Sequence, residues 1–469
     1  MPIPIPGPRW TRRLSLLVVA LALLASACSG DSGGSSGSGP TSGDAATETT
    51  TPDGPESPMA VVGADGSMRL VHPGDSAADR RLSTAGATAS QPAFSPDGTR
   101  LAWSEIDADG NAFLAVSVIG GRGSGETRLV SVPFVSFYNG WDPTSTRVAM
   151  LGNSPGGVGL AFVEVGDPTG PLTAVEASEV VFAGRPLYVD WRSDGEGLIV
   201  HTDGVVLSVG LDGAHTLVSE TDSAFQSPVR MADGSVLLVQ PSEGGAADEL
   251  VRIDASGDVE VVATLAGPVY LVGDPDRERL AVVVLPSRGP GTPDPDAVQV
   301  VYRSSGPREP ATGAMTVPTL EVGVHVYDPV SGDVTPLIGG ARVAAFWSPT
   351  GDRLLTLALD RTGTPASARW EVWAVPVAAE FPSTPTDRTE PFTPTATVTS
   401  AILPFFDQYA DSMTPWSPDG TAFLYAALDS EGRPAIRVRT VVDDAGGPDP
   451  GEDPVAGEGV HAVWSPTAG

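Results

Sequence analysis

The serine at position 154 lies in a pattern that many hydrolases use for their nucleophile. Residues 152–156 read Gly-Asn-Ser-Pro-Gly, which fits Gly-x-Ser-x-Gly, and they follow an apolar run over 147–151 that predicts a strand. In such hydrolases the serine lies on a sharp turn between a strand and a helix. The residues after position 156 do not predict a helix. We therefore interpret the pattern as a hairpin turn and assign no catalytic residue.

Residue types that bind metals are present, but they are not spaced as ligands. Residues 107–111, Asp-Ala-Asp-Gly-Asn, resemble the start of a calcium-binding loop, yet the glycine is misplaced and the twelfth position is Val118 instead of glutamate. We interpret them as a hairpin turn. The five histidines are scattered along the chain: His72, His201, His215, His325 and His461. We assign no metal ligand and no cofactor, although a site assembled from distant segments stays open, and with it a metal-dependent hydrolase or lactonase.

Aromatic and polar residues just before three tryptophan-containing copies of a recurring phrase form the candidate binding site. They are Phe137, Tyr138, Asn139, Tyr188, Asp190, Phe405, Phe406, Asp407 and Tyr409. If the repeats build a ring around a central channel, these residues lead into innermost strands and would line a binding funnel at the channel mouth. The alternative is that their rings pack between neighbouring repeats.

The recurring phrase defines the elements that position these residues. Its full form is Trp-Ser-Pro-Asp-Gly at 416–420, and variants begin at Phe94, Trp141, Trp191, Trp347 and Trp464, with weak copies near positions 230 and 273. Proline fixes the first corner of a turn, aspartate bonds its own backbone, and glycine accepts the left-handed corner. Recurrence about every 40 to 70 residues indicates one supersecondary unit repeated along the chain.

Each unit predicts a four-stranded antiparallel blade. The apolar run after each turn predicts a buried strand, and further strands are predicted over 112–118 and 127–132 after the first copy. The aromatic residue before the turn is placed to pack between neighbouring blades. We predict an all-β protein, a single β-propeller of eight blades by the number of copies, with seven as the alternative because two copies are weak.

The two ends of the folded region predict how the ring closes. Residues 463–466 begin a copy with no strands after it, whereas residues 59–62 and 68–72 are strands without a preceding copy. We expect the last strand to join the first strands in one blade. Closure of this kind protects the sheet edges of a propeller.

The phrase resembles the repeats of TolB-type, or WD40-like, β-propellers, a family of bacterial extracytoplasmic proteins, over residues 59–465. The resemblance implies a scaffold in an envelope assembly. In that family an α/β domain commonly precedes the propeller. Here residues 29–57 are mostly Gly, Ser, Thr, Pro and Asp, and such a composition predicts a disordered tether.

Residues 1–28 predict an export signal. A basic start is followed by an apolar stretch over 14–24, too short for an ordinary membrane span. Residues 24–28, Leu-Ala-Ser-Ala-Cys, resemble a bacterial lipobox, which implies that Cys28 becomes the lipid-bearing first residue of the mature protein. We therefore expect a lipid anchor on the outer face of the cell membrane and a propeller over 58–469. Export by the general or the twin-arginine route stays open.

The amino-acid composition excludes several classes of partner and of chemical site. The 469 residues carry a net charge of −31, and all basic residues are arginine. Such acidity argues against nucleic acid as a partner. A lysine-free, Ala- and Gly-rich chain is typical of a high-GC bacterium, and we interpret it as actinobacterial. Cys28 is the only cysteine, which excludes an internal disulfide, a thiol nucleophile and a cysteine-based metal site.

Together these features predict a lipid-anchored extracytoplasmic propeller that is not an enzyme. We expect it to act as a binding scaffold for a protein, a peptide or a cell-envelope component, with membrane lipid held through Cys28. Two alternatives stay open: a metal-dependent propeller hydrolase or lactonase, and a sensor of small ligands or glycans.

Overall fold

The apolar runs around the recurring phrase form 33 β-strands in the part of the chain that the computed structural model describes. The described residues are 57–119, 125–155, 157–172, 176–184, 188–202, 204–220, 227–242, 248–286, 317–360, 367–376, 384–442 and 453–467. Cys28, the predicted signal over 1–28 and the predicted tether over 29–57, apart from Ser57, lie outside them.

Strands of the first half of the ring form blades 1 to 4. Blade 1 contains β1 (Met59–Val62), β2 (Met68–Val71), β3 (Arg80–Arg81) and β33 (His461–Trp464). Blade 2 contains β4 (Thr88–Phe94), β5 (Arg100–Ile106), β6 (Ala112–Val118) and β7 (Thr127–Ser131). Blade 3 contains β8 (Ser136–Trp141), β9 (Arg147–Ser154), β10 (Gly157–Glu164), β11 (Glu176–Ala177) and β12 (Phe182–Gly184). Blade 4 contains β13 (Tyr188–Trp191), β14 (Gly197–Thr202), β15 (Val205–Gly210) and β16 (His215–Glu220).

Strands of the second half form blades 5 to 8. Blade 5 contains β17 (Val229–Arg230), β18 (Val236–Pro241), β19 (Asp248–Ile253), β20 (Val259–Leu265) and β23 (Thr319–Leu320). Blade 6 contains β21 (Val269–Gly273), β22 (Leu280–Val284), β24 (Gly323–Tyr327) and β25 (Val334–Gly339). Blade 7 contains β26 (Ala344–Trp347), β27 (Arg353–Asp360), β28 (Ser367–Ala374) and β29 (Asp387–Arg388). Blade 8 contains β30 (Ala422–Leu428), β31 (Pro434–Thr440) and β32 (Val455–Glu458).

The eight sheets are the blades of an eight-blade β-propeller. This confirms the predicted all-β fold and decides for eight blades over seven, because the weak copies near 230 and 273 lie at the innermost strands β17 and β21. In blade 8 the innermost position is held by Trp416, which bridges Phe423. No helix among the described residues is both long enough and apolar enough to span a membrane.

The ring closes as predicted, by pairing of the two chain ends. The order in blade 1 is β3-β2-β1-β33, so the last strand of the chain takes the innermost position. Met59 lies opposite Trp464 and Val62 lies opposite His461 in an antiparallel register. The N-terminal and C-terminal strands therefore hold each other within one sheet.

The turn of the phrase is fixed by its own side chains. Ser417 Oγ donates to Asp419 Oδ1 at 2.6 Å and accepts from the backbone N–H of Ala422 at 2.9 Å. Gly420 has φ +68°, a left-handed conformation that strains any residue with a Cβ. The turn thus closes locally in the sequence, which explains why it recurs as a phrase.

In half of the blades, the tryptophan of the phrase binds to the preceding blade. In blades 3, 4, 7 and 8 the indole N–H donates to a backbone carbonyl of the previous blade. The acceptor is the residue directly before the start of the phrase in that blade. The pairs are Trp141 to Ala93 at 2.9 Å, Trp191 to Gly140 at 3.1 Å, Trp347 to Val272 at 3.0 Å and Trp416 to Phe346 at 3.1 Å. This confirms the predicted packing of the aromatic residue between blades.

An arginine six positions after the start of the phrase reaches the other way, to the next blade. Arg147 Nη1 donates to Gly195 O at 3.3 Å and Arg353 Nη1 to Gly420 O at 3.5 Å, while Arg279 donates to Gly351 O. These acceptors are the glycines of the next turns. The arginine is therefore a second repeated inter-blade contact, which the sequence analysis did not identify.

Candidate binding site at the central channel

The connection from blade 7 to blade 8 contacts the innermost strands of most of the ring. We call residues 395–413 the central segment. It contains three successive helical turns of π, 3-10 and α type: Val398–Ile402, Leu403–Phe405 and Phe406–Tyr409. Pro404 stands near the start of the second turn, where its missing N–H would have no partner in any case. The segment leads to Trp416 in blade 8.

Apolar side chains of the central segment join the two halves of the ring. Leu403 and Phe406 belong to the hydrophobic cluster of blades 6, 7 and 8, where Phe406 meets the ring of Tyr270 edge-on at 4.6 Å between centroids. Ile402 and Tyr409 belong to the cluster of blades 1 to 4. Burial of this apolar surface is the main force that holds the segment in place.

Polar side chains of the same segment fix its position against blades 3, 4 and 5. Gln408 Oε1 accepts from Val189 N at 2.7 Å, and Gln408 Nε2 donates to Val189 O at 2.8 Å. The hydroxyl of Tyr409 donates to Phe137 O at 2.7 Å, and Asp407 Oδ2 accepts from Ser227 N at 3.0 Å. Backbone groups that a channel would leave open to water are thus paired with the protein's own side chains.

An ion-pair network links the central segment to three blades. Arg277 Nη2 lies 2.6 Å from Asp411 Oδ2 and 3.3 Å from Asp190 Oδ1. Asp190 Oδ2 also accepts from the backbone N–H of Arg230 at 3.0 Å. Burial raises the pKa of Asp190, and the positive charge of Arg277 opposes that rise. The guanidinium group of Arg277 in blade 6 therefore joins the segment to blade 4, and Asp190 extends the network to blade 5.

Asp407 is the most perturbed carboxyl group at this site. Burial raises its pKa to about 7, and the hydrogen bond from Ser227 N opposes that rise. A carboxyl group with such a pKa changes its charge near neutral pH, inside a buried contact between the central segment and blade 5.

The structure brings eight of the nine predicted site residues together around the central segment. Phe137 contributes its carbonyl, Tyr138 lies 5.8 Å from Tyr409, and Tyr188 lies 6.5 Å from Phe405 between ring centroids. Asp190, Phe406 and Asp407 take part in the contacts above.

Asn139 is the exception, because it is directed away from the segment. Its Nδ2 donates to Gln91 O and to Ser104 Oγ, both at 3.0 Å, between blades 2 and 3. The side chain is fully buried there. In this position it stabilises inter-blade packing.

Most of these residues are buried by contacts within the chain itself. Tyr138, Tyr188, Phe406 and Tyr409 are all buried, whereas Phe405 is 36% exposed. These side chains, which are predicted to line a binding funnel, therefore pack mainly against other residues of the chain. The exposed residues of the central segment are the uncharged Ala396, Thr399, Ser400 and Phe405, together with Asp411, which is paired with Arg277.

Sequence reasoning missed Gln408, Arg277 and Asp411. Gln408 contacts a residue 219 positions earlier in the chain, and Arg277 lies in the turn of a weak copy of the phrase. Nothing in the local pattern signals such pairs.

The two hairpin interpretations are confirmed. Ser154 lies opposite Gly157 across the β9–β10 hairpin, and its Oγ donates to Gly157 O at 3.0 Å. Asp107 Oδ1 accepts from Asn111 N at 2.8 Å in the β5–β6 hairpin. Within the described ranges, no three His, Cys, Asp or Glu side chains come together as a metal ion requires.

The fold and this site define the class of the protein, an eight-blade β-propeller with an internal central segment. No protein-family model matches the chain, and no curated protein matches it.

Several solved structures resemble it. A eukaryotic initiation factor is 12% identical, with 88% of this chain and 99% of that chain covered at a TM-score of 0.48. TolB from Acinetobacter baumannii is 14% identical, with 81% and 82% covered at 0.35. An oligogalacturonate lyase in complex with manganese is 14% identical, with 82% and 96% covered at 0.46. Likeness at this level carries no argument about what this chain binds.

Proposed function

We propose that the protein is a lipid-anchored extracytoplasmic propeller that acts as a non-catalytic binding scaffold for a protein or peptide of the cell envelope. The observation that carries this proposal is Phe405. It is 36% exposed on the central segment, whereas the rings around it are buried. A large aromatic side chain held on a rigid support is the kind of anchor on which protein interfaces concentrate their binding free energy.

The surroundings of Phe405 support a protein or peptide partner. The exposed residues that precede it in the central segment, Ala396, Thr399 and Ser400, are small and uncharged, whereas the exposed Asp411 follows it. The chain as a whole carries −31. A partner that contacts Phe405, Thr399 and Ser400 meets uncharged side chains, and such contacts require little removal of water from charged groups.

The rigidity of the support also favours binding. The tryptophan contacts fasten neighbouring blades, and Gln408 and Tyr409 fix the central segment by bonds to Val189 and Phe137. A surface that is already ordered loses little conformational entropy when a partner binds.

The proposal places the protein at the membrane through lipid on Cys28. The lipobox-like sequence over 24–28 supports this anchor. Growth of cells with an alkyne-labelled fatty acid should label the full chain, and Cys28→Ala should abolish the label. Labelling that persists in this variant would refute the anchor.

The binding proposal is tested with a photo-crosslinking phenylalanine analogue at position 405 in the full chain, expressed in its own cells. We expect one defined adduct with an envelope protein or peptide. The control places the same analogue at position 330, because Val330 is 93% exposed in the turn between β24 and β25. Equal adducts at both positions, or none at 405, would contradict the proposal.

A further inference from the structure

A second opening lies between blades 7 and 8, apart from the exposed face of the central segment. It is a cavity of about 270 Å³. Residues 390–394 pass between the two sheets here, as Phe392 bridges Ala368 of β28 and Pro394 bridges Ala427 of β30.

The floor of the cavity consists of polar groups that are removed from water. Tyr425, Arg437 and Asp453 are only 7, 6 and 7% exposed. Tyr425 OH donates to Asp453 Oδ2 and Arg437 Nη1 donates to Asp453 O, both at 2.7 Å. Arg439 forms ion pairs with both carboxylates: Nη1 lies 3.0 Å from Asp453 Oδ1, and Nη2 lies 2.6 Å from Asp387 Oδ1.

Of this network only the pair of Arg439 with Asp387 joins blade 8 to blade 7, and Trp416 and Arg353 already join these two blades. A buried group of ions seldom stabilises a fold better than apolar side chains of the same volume. Buried ionisable groups beneath an opening are characteristic of functional sites. The network therefore indicates a site for a ligand.

The walls and rim add aromatic surface and hydroxyl groups. The rings of Phe392 and Tyr425 lie 4.6 Å apart between centroids. Ser367, Thr393 and Ser430 bring hydroxyls to the lining, and Glu390 brings an exposed carboxylate. A ligand here meets hydrogen-bond donors and acceptors beside a ring face.

Apart from the exposed carboxylate of Glu390 at the rim, the charges of the site balance within the protein. Asp453 and Asp387 are paired with Arg439, and Asp429 at the rim is paired with Arg433 at 2.9 Å. The floor therefore does not require a charged ligand to neutralise it. This favours a neutral, hydroxylated molecule over an organic cation.

We propose that this cavity binds a single sugar unit, with its ring against Phe392 and Tyr425 and its hydroxyls bonded to Arg437, Glu390 and the rim. The volume of about 270 Å³ lies just below the lower end of the range typical for drug-sized ligands, roughly 300 Å³. It is suited to one ring.

The test titrates the full chain with glucose, galactose, N-acetylglucosamine and, separately, putrescine, and follows the heat of binding. We expect saturable binding of at least one sugar with equal affinity at low and high salt, since a neutral ligand is not screened. Binding of putrescine alone, weakened by salt, would overturn the proposal in favour of a cation site. No binding of any sugar would also overturn it.

Variants at the rim locate the site. The double variant Glu390→Gln, Thr393→Val removes a carboxylate and a hydroxyl that lie outside the buried network, and we expect affinity for the sugar to fall about tenfold. Glu431→Gln is the control, because Glu431 lies in the adjacent turn and does not line the cavity. An unchanged affinity in the double variant would refute the site. Crosslinking at position 405 is independent of both variants.

Discussion

The ring of turns and the central segment are held by contacts of very different range. In the ring, Ser417 bonds Asp419 two residues away, and Trp416 reaches the neighbouring blade. In the central segment, Gln408 and Tyr409 bond residues 219 and 272 positions earlier in the chain. The ring therefore repeats the same local contacts from blade to blade, whereas the contacts of the central segment occur once and depend on several blades.

This difference predicts how each region responds to the loss of one contact. Loss of one tryptophan contact in the ring opens an interface between two blades, but similar contacts remain between other blades. A hydrogen bond lost from the central segment is not repeated elsewhere. Variants in the two regions should consequently differ in size, in pH dependence and in how far their effects extend.

The largest effect is expected from Trp416→Ala. The side chain is fully buried and its indole bonds Phe346 O. Its removal leaves a large cavity and an unpaired carbonyl between blades 7 and 8, so we expect the free energy of unfolding to fall by about 4 kcal/mol. Urea denaturation measures it. Trp416→Phe keeps most of the volume, so its free energy of unfolding should fall by less than half as much. An equal fall in the two variants would show that the hydrogen bond alone accounts for the stability of this contact.

The ring could be predicted from the sequence because its contacts are local or follow the repeat. The phrase placed Trp141 and Trp416 at blade interfaces, and the free ends at 59 and 464 predicted the closing pair. Arg147 and Arg353 follow the same spacing. Their role could not be predicted because each binds a backbone carbonyl of the next blade, and the sequence does not show that partner.

The central segment could be predicted only in part. Phe405, Phe406, Asp407 and Tyr409 were assigned to the channel mouth, with packing between repeats as the alternative, but the helical form of the segment was not predicted. Residues 395–402 are rich in threonine and other residues with weak helix propensity, and a short helix gains its stability from packing. That packing involves Val189, Tyr270 and Phe137, which no local pattern connects to it.

An intermediate effect is expected from Asp407→Asn, and it should depend on pH. The pKa of Asp407 is about 7 in the folded protein, above about 3.9 in an unfolded chain. The folded state then binds the proton more tightly, so this group lowers the free energy of unfolding as pH rises from about 4 to 7. Asparagine removes that decline. At pH 8 the variant should be more stable, by no more than about 4 kcal/mol.

Denaturation of both proteins at pH 4, 6 and 8 measures this difference. The matched control is Asp109→Asn, since Asp109 is exposed in the β5–β6 hairpin. The control should follow the wild-type curve. A decline with pH as steep in Asp407→Asn as in the wild type would show that the carboxyl group is not buried in solution.

The smallest effect is expected from Gln408→Met, which keeps the volume and removes both bonds to Val189. Two buried backbone groups lose their partner, so we expect the free energy of unfolding to fall by about 2 kcal/mol. The more informative measurement is hydrogen exchange, because the amide of Val189 donates to Gln408 Oε1. Its exchange should accelerate while the amides of β30 in blade 8 stay protected.

The control for this variant is Ser400→Ala, on the exposed face of the same segment. It should leave the exchange of Val189 unchanged. If Gln408→Met also accelerates exchange in β30, the segment and the ring open together, and the distinction between local and long-range contacts does not extend to their dynamics. If Val189 alone responds, the central segment opens as its own cooperative unit, and Phe405 could then move while the ring stays closed.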